Sequence, residues 1–193
     1  MSNTEKKITL KSLQPITITC VETDEKKYSK LFDEFTEQNH YLKHRIPNSN
    51  ILRYLVFDCS GEVLASLMFC KPAWNLQSRE NYFSWSQDKK VKNLKYVLNN
   101  SRFIIKSDLK VKNLATWILG RIAKTVSNDY SKLYGNEIKV LETFIDETRH
   151  SASCYKAANW TRVGEFKVKS GQKQLIGKPL GVYLYITDKS IFN

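Results

Sequence analysis

The feature that most constrains this fold is an alternation of strand and helix patterns between residues 101 and 186. Apolar residues recur at helical spacing over residues 114–126 and again over 152–158. Segments rich in β-branched and aromatic residues flank both helices, and we predict four strands there: 101–106, 138–145, 161–168 and 182–186. Strands that alternate with helices in this way form a sheet covered by helices on both faces.

The first hundred residues predict an antiparallel addition to that sheet. Segments 51–57 and 63–70 have strand composition and are joined by the turn residues Asp58-Cys59-Ser60-Gly61, so they form a predicted hairpin. Residues 16–21 alternate as a strand, and residues 26–39 have the spacing of an amphipathic helix. The predicted fold class is therefore mixed α/β, with a mostly antiparallel sheet and helices on both faces.

The organisation along the chain favours one domain. The sequence has only seven glycines and four prolines in 193 residues, and it contains no internal repeat and no linker rich in small or polar residues. A length of this order suffices for one hydrophobic core. We predict a single domain over residues 1–193. Segments 74–85 and 89–97 are less regular, and only the second has the pattern of a short helix.

A large excess of basic residues is the strongest compositional signal for function. Lysine and arginine total 31 against 19 acidic residues, which gives a formal net charge of +12. Such a charge attracts polyanions at long range and binds them with release of counterions. Nucleic acid is the partner that we expect first, and a phosphorylated cofactor or an acidic protein is compatible with the same charge.

Other signals exclude several classes of protein. No apolar stretch approaches the roughly 18 residues of a membrane span, and Met1–Lys7 lacks the apolar segment of a secretory signal. The four cysteines are scattered, as expected for free thiols in a reducing compartment, so we predict a cytoplasmic protein without membrane association. His40 and His44 with His150 or Cys154 are the nearest approach to a metal set, and because no second paired ligand cluster supports them we predict no metal site.

The basic segment before the helix at 114–126 carries a candidate cofactor motif. It begins with Lys110, has Asn113 in its middle and closes with Ala115. This segment resembles the loop Q/R-x-x-G-x-G/A of the GNAT acyltransferases, in which backbone N–H groups hold the pyrophosphate of coenzyme A at a helix N-terminus. The resemblance implies that Lys110, Lys112, Asn113, Leu114 and Ala115 bind acetyl-coenzyme A or another acyl-coenzyme A. The alternative is that Asn113, which replaces a glycine, caps an ordinary helix beside two solvated lysines.

Two residues are candidates for catalysis. Tyr155 lies in Cys154-Tyr155-Lys156-Ala157-Ala158-Asn159-Trp160, which resembles the last helix and turn of the GNAT fold, where a tyrosine protonates the leaving thiolate. A phenol suits that role because its pKa is near 10. Glu142, in the strand before it, is a candidate base for an amine nucleophile. The alternatives are a packed tyrosine and a structural ion pair of Glu142, for which Arg102 is a possible partner.

A narrower resemblance covers most of the chain. Residues 40–185 contain these stretches in order: His40-Tyr41-Leu42, Leu52-Arg53-Tyr54, Trp74 with Arg79 and Trp85, Asn99-Asn100-Ser101-Arg102, Asn113-Leu114-Ala115, Tyr134-Gly135, Glu142-Thr143-Phe144, the Tyr155 segment and Gly177-Lys178-Pro179. Through these stretches the chain resembles the DruA proteins of the Druantia anti-phage system and related transposase-associated domains. Ser84 replaces a glycine of the pattern, Ala152-Ser153 replaces Gly-Thr, and residues 169–173 are a reduced form of a longer loop. The resemblance implies a role in defence or association with mobile DNA.

These observations leave three functions open. The first is a nucleic-acid or partner-binding module on an acyltransferase-like fold, supported by the net charge and by basic segments 106–112 and 162–173. The second is an acyl-coenzyme A-dependent N-acyltransferase acting on a nucleic-acid-linked or protein amine, and the third is a scaffold for other defence proteins of undefined oligomeric state. A nucleic-acid or substrate cleft is predicted from polar and aromatic residues of the motifs, namely Trp74, Arg79, Trp85, Asn100, Arg102 and Asn159, although tryptophans also commonly pack in cores.

Overall fold

A seven-stranded sheet forms the centre of the protein. The computed structural model describes residues 8–39, 47, 49–167 and 177–192. The sheet order is β1-β2-β3-β4-β5-β7-β6. Its strands are β1 Thr17–Cys20, β2 Leu52–Phe57, β3 Val63–Cys70, β4 Val97–Ile105, β5 Val140–Ile145, β6 Thr161–Lys167 and β7 Pro179–Ile186.

The strand directions confirm the predicted fold class. β2 and β3 form the expected hairpin, and β4 and β5 pair in parallel. The pairs β1–β2, β3–β4, β5–β7 and β6–β7 are antiparallel. A parallel pair needs a crossover connection, and the helix between β4 and β5 supplies it.

Helices cover both faces of the sheet. They are α1 Glu25–Asn39, α2 Gln77–Phe83, α3 Gln87–Asn93, α4 Leu114–Tyr134 and α5 Ser153–Ala157, with short 3₁₀ helices at Val21–Thr23, Leu94–Tyr96 and Lys189–Phe192. α4 and α5 pack on one face, where Ile118 and Ile122 meet Leu67 and Leu141. α1 covers β2 and β3 on the other face, and the segment around α2 covers β5 and β7 there. None of the described helices has both the length and the apolar character needed to cross a membrane.

Two helices differ in extent from the sequence prediction. α4 continues two turns beyond residue 126 because Tyr130 still packs against the core, and it ends where Gly135 adopts φ +75°. The helix predicted over residues 89–97 ends at Asn93, since Val97 and Leu98 are buried and begin β4 instead. α2 lies in segment 74–85, for which the sequence pattern indicated no single element.

Candidate functional site

β4 and β5 separate shortly after they begin, and this separation creates the site. The parallel pairing covers only three residue pairs and ends at Asn99 and Glu142, although both strands continue. On its other side β4 has a bulge, because Met68 pairs with Arg102 while Phe69 pairs with Asn100, which leaves Ser101 as an extra residue. A bulge bends the strand that contains it. The bend directs the second half of β4 away from β5.

The gap between the strands is a cavity of about 800 Å³. This volume is within the range of sites for small molecules and cofactors. Its walls are the second half of β4, residues 143–145 of β5 and the next residue Asp146, residues 149–155 around the start of α5, and Ala115 in the first turn of α4. The charged side chains of the wall include two arginines, Arg102 and Arg149, and one carboxylate, Asp146. The wall therefore favours an anionic ligand.

Tyr155 lies in the cavity wall with its hydroxyl in a defined position. The hydroxyl donates a hydrogen bond to Asn100 Oδ1 at 2.8 Å. Asn100 Nδ2 donates to the carbonyl of Arg102 at 2.9 Å, which fixes the direction of the amide, and Thr143 Oγ1 donates to the Asn100 carbonyl at 2.9 Å. Burial raises the pKa of Tyr155 well above its usual value. The phenol is therefore neutral and able to donate a proton throughout the physiological range.

The first turn of α4 opens at the cavity without a side-chain cap. Asn113 adopts the left-handed conformation, φ +66° and ψ 0°, and its side chain makes no capping hydrogen bond. Asparagine can therefore replace the glycine that the GNAT loop has at this position, because it is the residue after glycine that best tolerates positive φ. The backbone N–H groups of Ala115 and Thr116 donate to no acceptor in the described part of the chain. Unsatisfied N–H groups at the start of a helix attract oxyanions.

The other predicted members of this loop take different positions. Lys110 and Lys112 are exposed beside the start of α4. Leu114 is not placed to bind a ligand, which corrects its assignment: its side chain is buried in the core and its N–H donates to the Val111 carbonyl at 3.3 Å.

Glu142 and Arg79 form a fully buried ion pair away from the cavity. Arg79 Nη1 donates to Glu142 Oε2 at 2.6 Å, and both side chains are 0% exposed. Glu142 Oε1 accepts from the backbone N–H of Ala73 at 2.9 Å and lies 3.4 Å from Asn99 Nδ2. Both carboxylate oxygens are thus occupied by structural donors. This corrects the assignments of Glu142 as a base and of Arg79 to a cleft, and it identifies Arg79 rather than Arg102 as the partner of Glu142.

The residues predicted to line a cleft are divided by the fold. Asn100 and Arg102 line the cavity, whereas Trp74, Trp85 and Asn159 do not. Trp85 is buried and stacks on Phe83 with ring centroids 4.8 Å apart, as in the core interpretation. Trp74 is 58% exposed, and Lys90 Nζ lies 5.3 Å from the centroid of its ring. Asn159 adopts φ +65° in the turn that links α5 to β6.

Several cavity residues escaped the sequence analysis. Arg149 and Ser151, between β5 and α5, and Ser153, the first residue of α5, line the wall. Their signal was a run of polar residues between a strand and a short helix, which does not distinguish a site from an ordinary loop. His40 and His44, the Tyr41-Leu42 motif and residues 169–173 lie outside the described residues.

Solved structures with this arrangement of strands and helices include N-acetyltransferases of the GNAT fold. The spermidine/spermine N-acetyltransferase SpeG from Vibrio cholerae has a TM-score of 0.57 at 11% identity, covering 91% of this chain and 95% of that one. A chimera of Vibrio cholerae SpeG with hSSAT has a TM-score of 0.59 at 9% identity, covering 92% and 99%. At these identities the likeness concerns the fold alone, which confirms the predicted GNAT-like architecture.

Sequence comparison identifies the family. Among curated protein sequences, none matches this chain significantly. The family model described as Druantia protein DruA matches residues 3–176, most of the chain, with the motifs around Asn100, Asn113 and Tyr155 inside the matched part. The chain therefore belongs to the DruA family.

Proposed function

We propose that this protein is an acyl-coenzyme A-dependent N-acyltransferase that acts as a component of a Druantia-type defence system. Membership of the DruA family supports the defence role. The observation that carries the proposed activity is the continuity of one cavity between Tyr155 and Ala115 in the uncapped first turn of α4. A proton donor and an oxyanion site in one cavity are what a thioester carrying a pyrophosphate requires.

The residues present fit the phosphate part of such a ligand. The N–H groups of Ala115 and Thr116 have no acceptor within the described residues, and Ala115 lines the cavity. The positive end of the α4 dipole favours an anion at the same place. Exposed Lys110 and Lys112 flank it and add positive charge. Asn113, held at φ +66°, keeps its side chain out of the capping position that would otherwise compete with a phosphate.

Tyr155 fits the reacting part. An acyl-coenzyme A would supply an activated thioester whose sulfur leaves as a thiolate. The phenol of Tyr155 holds the proton that such a thiolate needs, because burial raises its pKa and keeps it neutral. Asn100 Oδ1 orients the hydroxyl before transfer. With Glu142 committed to Arg79, the proton acceptors for an amine in the described wall are His150 and Asp146, and hydrogen bonds from Thr148 lower the pKa of Asp146. His150 is therefore the base that we favour.

Calorimetry with acetyl-coenzyme A tests the binding part of the proposal. We expect a dissociation constant within the range of about 1 μM–1 mM that enzymes show for their substrates. Ala115→Asp should abolish binding, because it sets a carboxylate where the phosphates would lie, while an acidic residue in the first turn is compatible with the helix dipole. Thr125→Asp, an exposed position of the same helix, is the matched control. Absence of heat at millimolar ligand with folded protein, or equal loss in both variants, would refute the proposal.

A further inference from the structure

A second recess lies at the other end of the β4–β5 pair. It has a volume of about 270 Å³, and its described lining comprises Lys89, Lys92, Asn93, Tyr96, Lys139, Ser190 and Ile191. Tyr96 and Lys139 directly precede β4 and β5, at the end where the two strands are still paired. The lining of the acyl-coenzyme A cavity begins further along β4, at Asn99, and includes none of the groove residues. The lysine groove, as we call this recess, is therefore a separate site.

The lysines of the groove are arranged by the protein rather than scattered. Lys89 and Lys92 are exposed three residues apart on α3, a spacing that puts both on one side of the helix. Lys139 Nζ lies 2.8 Å from Ser190 Oγ and 4.9 Å from the centroid of the Tyr96 ring. Lys95 Nζ lies 4.9 Å from the same centroid.

Asp188 is the carboxylate that contacts Lys139 in the groove. Asp188 is 3.7 Å from Lys139 Nζ, and its carboxylate also accepts hydrogen bonds from the backbone and hydroxyl of Ser190. Three lysines, Lys89, Lys92 and Lys139, line this small groove. Amino groups of like charge repel one another, so their repulsion is relieved when an anion binds between them.

Two exposed aromatic rings are linked, one through the chain and one through packing, to a residue of the groove. Ile191 lines it, and the next residue, Phe192, is 44% exposed. The Phe192 ring packs 6.0 Å from that of Tyr82, which is 39% exposed. Large exposed rings beside a lysine-lined groove are the combination by which proteins bind single strands, with lysines on the phosphates and rings stacked on bases. An acidic protein surface would use the lysines but gives the rings no comparable role.

We propose that the lysine groove binds the backbone of a single-stranded nucleic acid and that Tyr82 and Phe192 stack on its bases. This activity goes beyond acyl transfer and does not depend on it, since the two sites share no lining residue. The formal charge of +12 supports the same partner by long-range attraction.

Fluorescence anisotropy with labelled 20-nucleotide single-stranded DNA, single-stranded RNA and duplex DNA tests the proposal between 50 and 200 mM salt. The double substitution Lys89→Gln/Lys92→Gln should weaken single-strand binding and lower the salt slope by about 1.4, the value for two phosphate contacts. Lys124→Gln/Lys132→Gln removes the same charge from the exposed side of α4 and should leave the slope unchanged. Phe192→Leu, which keeps an apolar side chain, should weaken binding about tenfold without changing the slope.

Four results would overturn the proposal: no binding at 50 mM salt, equal losses in the groove and control variants, duplex bound more tightly than single strands, or full affinity in Phe192→Leu. The acetyl-coenzyme A titration is read out separately on the same variants. A groove variant that loses nucleic acid but keeps acetyl-coenzyme A binding separates the fate of this proposal from that of the acyltransferase.

Discussion

Tyr155 and Asn100 connect α5 to β4 through one hydrogen bond, from the phenol hydroxyl to Oδ1 at 2.8 Å. Asn100 lies immediately before the bulge at Ser101, and its own amide nitrogen is held by the Arg102 carbonyl. The bulge that opens the cavity therefore also fixes the acceptor that positions the Tyr155 hydroxyl. In this fold the shape of the cavity and the orientation of the Tyr155 hydroxyl have one structural origin.

Removal of the Tyr155 hydroxyl should affect chemistry and leave binding intact. We expect Tyr155→Phe to lower kcat about 10²–10⁴-fold, the usual contribution of a general acid, with the dissociation constant for acetyl-coenzyme A within twofold. Thiol release from acetyl-coenzyme A, with spermidine and poly-lysine as probe amines, measures the rate. Tyr183→Phe removes a hydroxyl that donates to Glu147, and its rate should equal that of the wild type. Equal rates for Tyr155→Phe and the wild type would eliminate the acid.

The pH dependence follows from the same environment. Burial raises the pKa of Tyr155 above its ordinary value of 10.0, so the acid remains protonated as the pH rises. The rate of the wild type should therefore show no decline from this group below pH 10. A decline between pH 8 and 9 that is present in the wild type and absent in Tyr155→Phe would contradict this assignment.

The Arg79–Glu142 pair should matter for stability rather than for the site. Arg79→Met leaves a buried carboxylate without its cation and should lower the free energy of unfolding by about 3–5 kcal/mol. Adding Glu142→Gln removes the unpaired charge and should restore part of that loss. Urea unfolding of the single and double variants measures both effects, with Arg121→Met on the exposed side of α4 as the control.

Binding and rate measurements distinguish a structural role of Glu142 from a catalytic one. Because Glu142 does not line the cavity, Glu142→Gln should bind acetyl-coenzyme A as the wild type does and retain its pH–rate profile. A double variant as unstable as Arg79→Met alone, or a selective loss of the basic limb in Glu142→Gln, would contradict the structural role.

Local sequence patterns determine some parts of this structure, and contacts between distant residues determine others. The helix and strands around Tyr155 follow from local periodicity, so they were predictable. The partner of Glu142 was not predictable, because Arg79 lies 63 residues away. No local pattern indicates which of the arginines pairs with Glu142. The bulge at Ser101 was equally hidden, since it depends on the register between β3 and β4. The conformation of Asn113 was accessible in principle, as asparagine favours positive φ.

Substitutions at Asn113 should separate the effect of its backbone conformation on stability from the effect of its side chain on ligand binding. Gly adopts φ +66° without steric cost, so Asn113→Gly should change stability by less than about 1 kcal/mol and should tighten acetyl-coenzyme A binding. A β-branched side chain does not tolerate this conformation, and Asn113→Val should destabilise by about 1–2 kcal/mol. Thermal or urea unfolding measures the change in stability, and calorimetry measures the affinity for acetyl-coenzyme A. If Asn113→Gly bound acetyl-coenzyme A more weakly, the amide itself would be a ligand contact.

A pH-dependent part of the stability should reside in Glu147, next to the cavity residue Asp146. The Arg162 guanidinium, and then the Tyr183 hydroxyl, lower the pKa of Glu147 from 4.5 to about 2. Because the pKa is lower in the folded than in the unfolded chain, this contribution is complete above pH 4.5 and is lost as the pH falls towards 2. The Glu147 and Arg162 side chains are 32% and 38% exposed. The contribution of this pair to the free energy of unfolding should therefore be about 1 kcal/mol or less.

Glu147→Gln tests this directly. The variant should be less stable than the wild type at pH 6, and the difference should shrink as the pH falls from 4.5 to 2.5, because the wild type loses the ion pair that the variant already lacks. Urea midpoints across that range measure it, with the exposed Glu137→Gln as the control. Wild-type and Glu147→Gln curves that remained parallel over this interval would show that Arg162 does not stabilise the ionised carboxylate. The segment between β5 and α5 would then owe its position to packing and backbone hydrogen bonds alone.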